Sequence, residues 1–208
     1  GILLKEIGEL NGLTVKVAIT DMNQPLGNYS GIASEISESI DALKGNGPSD
    51  LMEIVFYLAQ QAIEIFNESV TREKLSMIID SGLAYEKFEQ MVKAHGGSLR
   101  KFDSMNYQSP KFRHIIKSPS DGYIKSFETK KIGEILSMIG GGRLNNSDGI
   151  DNYSGLRAYK KISESVSIGE TILEFYCSSE KKINNLREHC DHLFSVSENR
   201  CGKPRLVY

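Results

Sequence analysis

The residues whose types and spacing suit chemistry lie in one stretch. It runs Asp21-Met22-Asn23-Gln24-Pro25-Leu26-Gly27, then Gly31, then an amphipathic segment carrying Glu35 and Glu38. Pro25 pre-sets one φ and Gly27 permits a positive one, so the pair brackets a turn. Such a turn offers backbone carbonyls and a carboxylate to a common point, the donor set of a hard cation. Two other groups invite a chemical reading. Gly140-Gly141-Gly142-Arg143 has the composition of a phosphate loop. Its glycines follow a predicted helix, whereas phosphate sites use helix N-termini, so a helix C-cap is the plainer reading. His189-Cys190-Asp191-His192 with Cys201 is a metal-like cluster. Zinc sites normally show a second paired spacing, and without one the cluster reads as an ordinary helix with incidental His and Cys. His95 and His114 read as surface or turn residues, and Phe56, Tyr57 and Phe66 as core rather than base-stacking platforms.

Several elements must position the first loop. The apolar residues 13–19 run into it and predict a buried strand, which puts the loop where open α/β sheets hold ligands. Residues 2–10 read as the end of a helix, stopped by Asn11-Gly12. One short helix and one strand do not make a sheet, so the chain is expected to begin inside a larger protein. After the loop a helix is predicted over 30–44, with Ser30 or a neighbour as its cap and Ile32, Ile36, Ile40 and Leu43 as its apolar stripe. Pro48 opens the next helix, over 48–67, with Leu51, Ile54, Val55, Leu58, Ala62, Ile65 and Phe66 facing inward. Helices over 71–80 and 85–94 follow, and periodicity then disappears over 98–110, which marks a linker. The second half changes style. Strands are predicted over 113–117, 122–127, 156–162 and 171–177, and helices over 129–138, capped by Thr129, and over 180–194. Residues 203–208 form an extended tail.

Composition sets the outer bounds. The chain has 208 residues, 39% hydrophobic and 25% charged, which is the range of a folded domain. A formal net charge of -2 does not suggest non-specific binding to nucleic acid or to an anionic membrane. No apolar run approaches the ~20 residues of a membrane span. Lys5, Glu6 and Glu9 interrupt the first apolar positions, so they do not read as a signal peptide. Three cysteines without a CxxC pair make no disulfide framework, and a reducing cytoplasm is the expected compartment.

The motifs also carry a resemblance. Thr20 to Gly27, then Gly31, Glu35, Glu38 and Ile40, then Leu43-Lys44-Gly45-Asn46-Gly47-Pro48-Ser49-Asp50-Leu51, resemble the central segment of the pyrimidine-nucleoside and thymidine phosphorylases. Pro119, Gly122, Ile132-Gly133, Gly140-Gly141-Gly142-Arg143, Asp148, Ile150-Asp151, Gly155, Lys161, Val166, Gly169 and Ile172 resemble that family's C-terminal domain, in order. The family's Lys-His-Ser-Thr-Gly-Gly phosphate loop, its Thr-Gly-Gly-Thr segment and its base-reading Arg, Ser and Lys do not occur here. The resemblance therefore implies the C-terminal half of such an enzyme. The implied fold class is α/β in an α+β arrangement. Residues 1–105 would be the helical part of an incomplete mixed-sheet α/β domain, and 106–208 a C-terminal α+β domain with hammerhead or barrel-sandwich-like strands.

The same resemblance implies a function. The intact enzyme would split a pyrimidine nucleoside with phosphate into the free base and a pentose 1-phosphate, as a homodimer. The chemistry is displacement at an oxocarbenium-like carbon, helped by positioned phosphate and by donors to the leaving base. No catalytic residue falls in this part, which alone should be inactive. A monovalent metal site of the potassium type joins the halves in several members. Its matching positions here are the backbone oxygens of Leu26 and Tyr29 and the carboxylate of Glu38, with the remaining ligands in the other half. The alternative for Glu38 is a solvated helix residue. Arg143 would approach the anionic ligand as a secondary contact at the cleft. Two other functions stay open: a non-catalytic homologue, and a barrel-sandwich binding or carrier module suggested by the strand–turn segments around Gly122 and Gly169. A carrier presents its Lys at a hairpin tip of Met-Lys-Met type, and none occurs here. Ser154, where the family usually has Val, and Ser163, where it usually has Gly, permit divergence.

Overall fold

Glycines and proline punctuate the chain into short elements. The computed structural model describes residues 1–103, 110–143, 145 and 148–208. The elements begin with α1 (Ile2–Leu10), β1 (Tyr29–Ser30), α2 (Ile32–Leu43), α3 (Ser49–Glu64), α4 (Arg72–Asp80), α5 (Leu83–Ala94) and the short α6 (Arg100–Asp103). They continue with β2 (Phe112–Lys117), β3 (Gly122–Phe127), α7 (Thr129–Ile139), β4 (Gly155–Ala158), β5 (Ser165–Val166), β6 (Thr171–Cys177), α8 (Glu180–Leu186) and β7 (Phe194–Ser197). This is a mixed α/β protein with two antiparallel sheets among the described residues, ordered β1-β4-β6-β2 and β5-β3-β7, neither closing into a barrel. No helix among the described residues is long and apolar enough to cross a membrane.

Contacts divide the chain into two units. The first is Gly1–Asp21, Ile40–Arg100 and Arg205–Tyr208; the second is Met22–Ser39 and Lys101–Pro204. The linker expected over 98–110 falls partly on 104–109, outside the described residues.

The first unit is built by helix caps and one small core. Thr71 caps α4 by accepting the Lys74 N–H at 3.3 Å. Gly82, at φ 79°, lets the chain turn directly from α4 into α5. Phe56, Leu75 and Ile79 form the core, with Met52, Ala59, Ile63 and Val70 packed around them. Ile54 is buried as predicted, but the stripe of α3 that packs on Leu75 and Ile79 is Met52, Phe56, Ala59 and Ile63, turned from the rest of the predicted one. Val55 and Leu58 are 39% and 45% exposed, and Phe66 lies past the helix end, 77% exposed. The predicted buried strand over 13–19 is also corrected. These residues join no ladder, and Leu13 and Ile19 are about 60% exposed (62% and 59%). An apolar run becomes a strand only where neighbours supply hydrogen bonds on its flanks. Here the extended tail supplies one isolated bridge, Thr20 to Val207, with Asp21 N–H donating to the Leu206 carbonyl at 3.0 Å. The α1 helix ends at Asn11-Gly12 as expected, and none of its residues is buried.

The second unit holds the larger core. Ile124, Ile135, Ile139, Leu156, Leu173 and Phe175 are 2% exposed or less, and the residues of α7 and α8 that point inward join them. The central strand β6 lies between β4 and β2, which is why six of its seven residues are buried. Its Glu174 is one of them, on the face away from the core. The Arg113 guanidinium reaches it at 2.5 Å and the Tyr159 hydroxyl at 2.6 Å, so the buried charge is paired. Three predicted boundaries change. Thr129 lies inside α7, and Glu128 precedes the helix without a side-chain cap. The ladder of β4 stops at Ala158, and 159–162 run on into a turn. The helix predicted over 180–194 ends at Leu186, passes through a 3-10 turn at Arg187–His189, and gives way to β7. His192, at φ 56°, reverses the chain there, and Phe194 then pairs with Phe127 across the β3–β7 ladder.

Candidate functional site: a carbonyl turn over a buried glutamate

The turn between Gln24 and Asn28 sits against β4 and its continuation, all within the second unit. Gly27 adopts φ 66°, and a Cβ there would fall 2.3 Å from Glu38 Oε2, so conformation and space both require glycine. Glu38, on α2, is only 7% exposed. Its Oε1 accepts the Asn28 N–H at 2.7 Å. The alternative of a solvated helix residue is thus corrected: the carboxylate is folded beneath the turn. Gly31, at φ 128°, lets β1 pass into α2 so closely that a Cβ would meet the Ser154 carbonyl at 2.4 Å. The Gly31 N–H then donates to Glu35 Oε1 at 2.8 Å, a side-chain cap at the start of α2.

The carbonyls of the turn are distributed among different partners. Asn28 O accepts the Ala158 N–H at 2.7 Å. Pro25 O and Gly27 O both accept from the Lys161 ammonium. The Gln24 side chain accepts the Ile162 N–H at 2.9 Å. β1 is an edge strand, and inward and outward groups alternate along an antiparallel ladder. With the Asn28 carbonyl turned toward β4, the Tyr29 carbonyl faces the open edge. The Arg157 guanidinium lies over the Tyr29 ring at 5.3 Å and the Tyr159 ring at 4.4 Å, which fixes the side chain of Tyr29.

The structure thus brings Glu38 to the turn that carries Leu26 and Tyr29. In the sequence Lys161 and Gln24 are legible only as motif residues without partners, and Ala158 only as part of a strand. No local signal could find them, because the bonds from Lys161 span 136 and 134 residues.

Arg143 lies elsewhere, exposed after Gly142. Gly140 takes φ 107° and closes α7, with the Gly140 and Gly141 N–H groups donating to Ser137 and Leu136 carbonyls. Those amides cap a helix and are not turned toward an anion. Leu144, Asn146 and Ser147 of the expected cleft loop lie outside the described residues. Asp151 fastens this region. Its carboxylate accepts from Ser154 Oγ at 2.7 Å, Ser178 N at 2.9 Å, Tyr153 N at 3.1 Å and Ser178 Oγ at 3.1 Å. Burial pushes this carboxyl up, but those bonds outweigh it and hold it below the usual carboxylate range.

Cys190 and Cys201 give their S–H groups to the Leu186 and Ile124 carbonyls, both at 3.2 Å. Burial, with Asp191 nearby, pushes the Cys190 thiol up to about 11, so it stays protonated and a poor metal ligand at neutral pH. Among the described residues no three His, Cys, Asp or Glu side chains gather as a metal site.

The second unit thus holds two antiparallel sheets with flanking helices and a glycine-bounded turn over the Glu38 carboxylate. Residues 123–197 match the family model described as the pyrimidine nucleoside phosphorylase C-terminal domain. Over an alignment of 208 residues the chain is 35% identical to the pyrimidine-nucleoside phosphorylase of Staphylococcus aureus strain bovine RF122 / ET3-1, and equally to that of strain USA300. The alignments cover 97% of this chain and 47% of each relative, so the chain spans about half the length of the curated relatives it matches.

Proposed function

We propose that this chain is the C-terminal part of an enzyme that splits pyrimidine nucleosides, uridine or thymidine, with phosphate. The observation that carries the reading is the 35% identity, over 97% of the chain, to proteins named pyrimidine-nucleoside phosphorylase. In this reading 1–105 is the incomplete helical part of the α/β domain and 106–208 the C-terminal domain, whose strands form a barrel-sandwich-like layer. The parent protein works as a cytoplasmic homodimer, and this part alone is inactive because the phosphate loop and base-reading residues are absent from its sequence.

A potassium-type cation belongs to the same proposal, and the chemistry of the donors fits it. Glu38 is a buried carboxylate directly under a turn of backbone carbonyls, and hard monovalent and divalent cations take such oxygens. Leu26 O, Tyr29 O and Glu38 would hold it, with further ligands from the remainder of the protein. When bound, such an ion supplies fixed positive charge that braces neighbouring loops. This chain's own part is to hold Glu38 in place through the Asn28 N–H and to keep water from its carboxylate. Arg143 contributes a secondary cationic contact to the phosphate at the cleft. The test is an assay of the full-length protein for release of uracil or thymine. Release that requires phosphate is the expected result; no release at saturating phosphate overturns the reading in favour of a non-catalytic homologue.

A further inference from the structure

The turn that would hold the cation is itself held by a charged side chain. Lys161 stands at the start of a tight reversal, where its own N–H donates to Glu164 Oε2 at 2.9 Å. Ser163 takes φ 78° in this reversal. The reversal is anchored to β3 on both sides: the Ser163 N–H donates to Ile124 O at 2.8 Å, and the Ile124 N–H to Glu164 O at 3.0 Å. The base of Lys161 is therefore fixed on the core sheet. Its ammonium spans to the carbonyls of Pro25 and Gly27, the two residues flanking Leu26. Next to it, the Ile162 N–H holds Gln24 and the Ala158 N–H holds Asn28.

The consequence is a sorting of acceptors. A single ammonium gathers the carbonyls on either side of Leu26, and β4 takes the carbonyl of Asn28. What the turn offers elsewhere is the intervening Leu26 carbonyl and the edge carbonyl of Tyr29, beside the Glu38 carboxylate that the Asn28 N–H holds in place. We propose that Lys161 is a positioning residue for the cation site: its ammonium, seated on Pro25 O and Gly27 O, sets the turn so that Leu26 O, Tyr29 O and Glu38 converge on the ion. The inference rests on the cation reading above. Lys161 acts through the backbone and does not touch the ion. Partners that orient metal ligands from behind shape affinity about as strongly as many ligands do.

The test uses the full-length protein and reads binding rather than turnover. Thermal unfolding is followed across a KCl series, with choline chloride keeping ionic strength constant, and thallous-ion NMR serves as a direct probe of the potassium site. Wild type is expected to gain thermal stability with potassium at a defined midpoint. Lys161→Gln keeps a donor but loses the charge, and its midpoint is expected to move about tenfold or more toward higher KCl. Lys161→Arg keeps the charge on a planar fork that cannot seat as a point charge between two carbonyls, so its midpoint is expected in between. A fall in melting temperature that is equal at every KCl concentration, with an unmoved midpoint, overturns the proposal and leaves Lys161 a structural residue only. If Lys161→Gln does not fold, Lys161→Arg decides alone: an intermediate shift supports the proposal and an unmoved midpoint overturns it. A wild-type protein with no potassium-specific response, matched by Glu38→Gln, instead overturns the cation reading, and the role of Lys161 falls with it.

Discussion

Single residues in this chain carry strain and charge that can be read out separately. Ser163 occupies the left-handed region at φ 78°, 2% exposed, and its hydroxyl accepts from Arg200 Nε at 3.2 Å. Replacing it by Ala removes the hydroxyl and keeps the strain, whereas Gly removes both. The Gly variant is therefore expected to be more stable than the Ala variant by about 1 kcal/mol, measured by urea unfolding. Equal stabilities would mean that the reversal relaxes without cost. Asp151 offers a pH test. Its folded pKa is depressed, so its stabilisation is complete above the unfolded value of about 4 and is lost as pH falls through the lower folded value. Asp151→Asn is expected to cost about 1–2 kcal/mol at neutral pH. The gap between the two melting temperatures should close as the pH drops below about 4; a gap that persists there would assign the effect to packing rather than charge.

At the scale of elements, the β1-β4-β6-β2 sheet is organised by what lies on its outer face. Glu174 on β6 is almost fully buried, and it is held by Arg113 of β2 on one side and Tyr159 beyond β4 on the other. Burial, followed by the bond to Glu174, pushes the Tyr159 hydroxyl above its ordinary range, so it remains a donor. Arg113→Ala would leave the carboxylate short of a partner. The Arg113 side chain is 43% exposed and solvent screens the pair, so the expected cost is about 1–2 kcal/mol by chemical denaturation. No change would show that water replaces the guanidinium freely.

Local chemistry was legible wherever one element decides it. Asn11-Gly12 as the stop of α1 and Gly140 as the stop of α7 both follow from neighbours a turn away. The helix expected over 180–194 takes in Phe194. Its place in β7 depends on β3, some 70 residues earlier, where Phe194 pairs with Phe127.

Across the whole molecule, the same contrast governs the candidate site. Pro25, Gly27 and Gly31 announce a turn, and the resemblance to a phosphorylase marks Leu26, Tyr29 and Glu38. Nothing nearby reveals that Glu38 is buried, since an acidic residue on a helix is ordinarily solvated. The apolar run at 13–19 misleads for the opposite reason: its residues suit a strand, but among the described residues the tail pairs only at its end, at Ile19 and Thr20. Partner availability, not residue type, decided both.

The bonds that seat the turn also impose an order in time. Residues 134 apart must meet before Gly27 finds Lys161, and closing a loop of that size costs about 4 kcal/mol of chain entropy. During synthesis at about 5–20 residues per second, the turn emerges on the order of ten seconds before the lysine that seats it. Through that interval Glu38 stands beside carbonyls with no fixed direction. The turn over Glu38 is thus a late assembly of an early sequence, and its maturation waits on the last third of the chain.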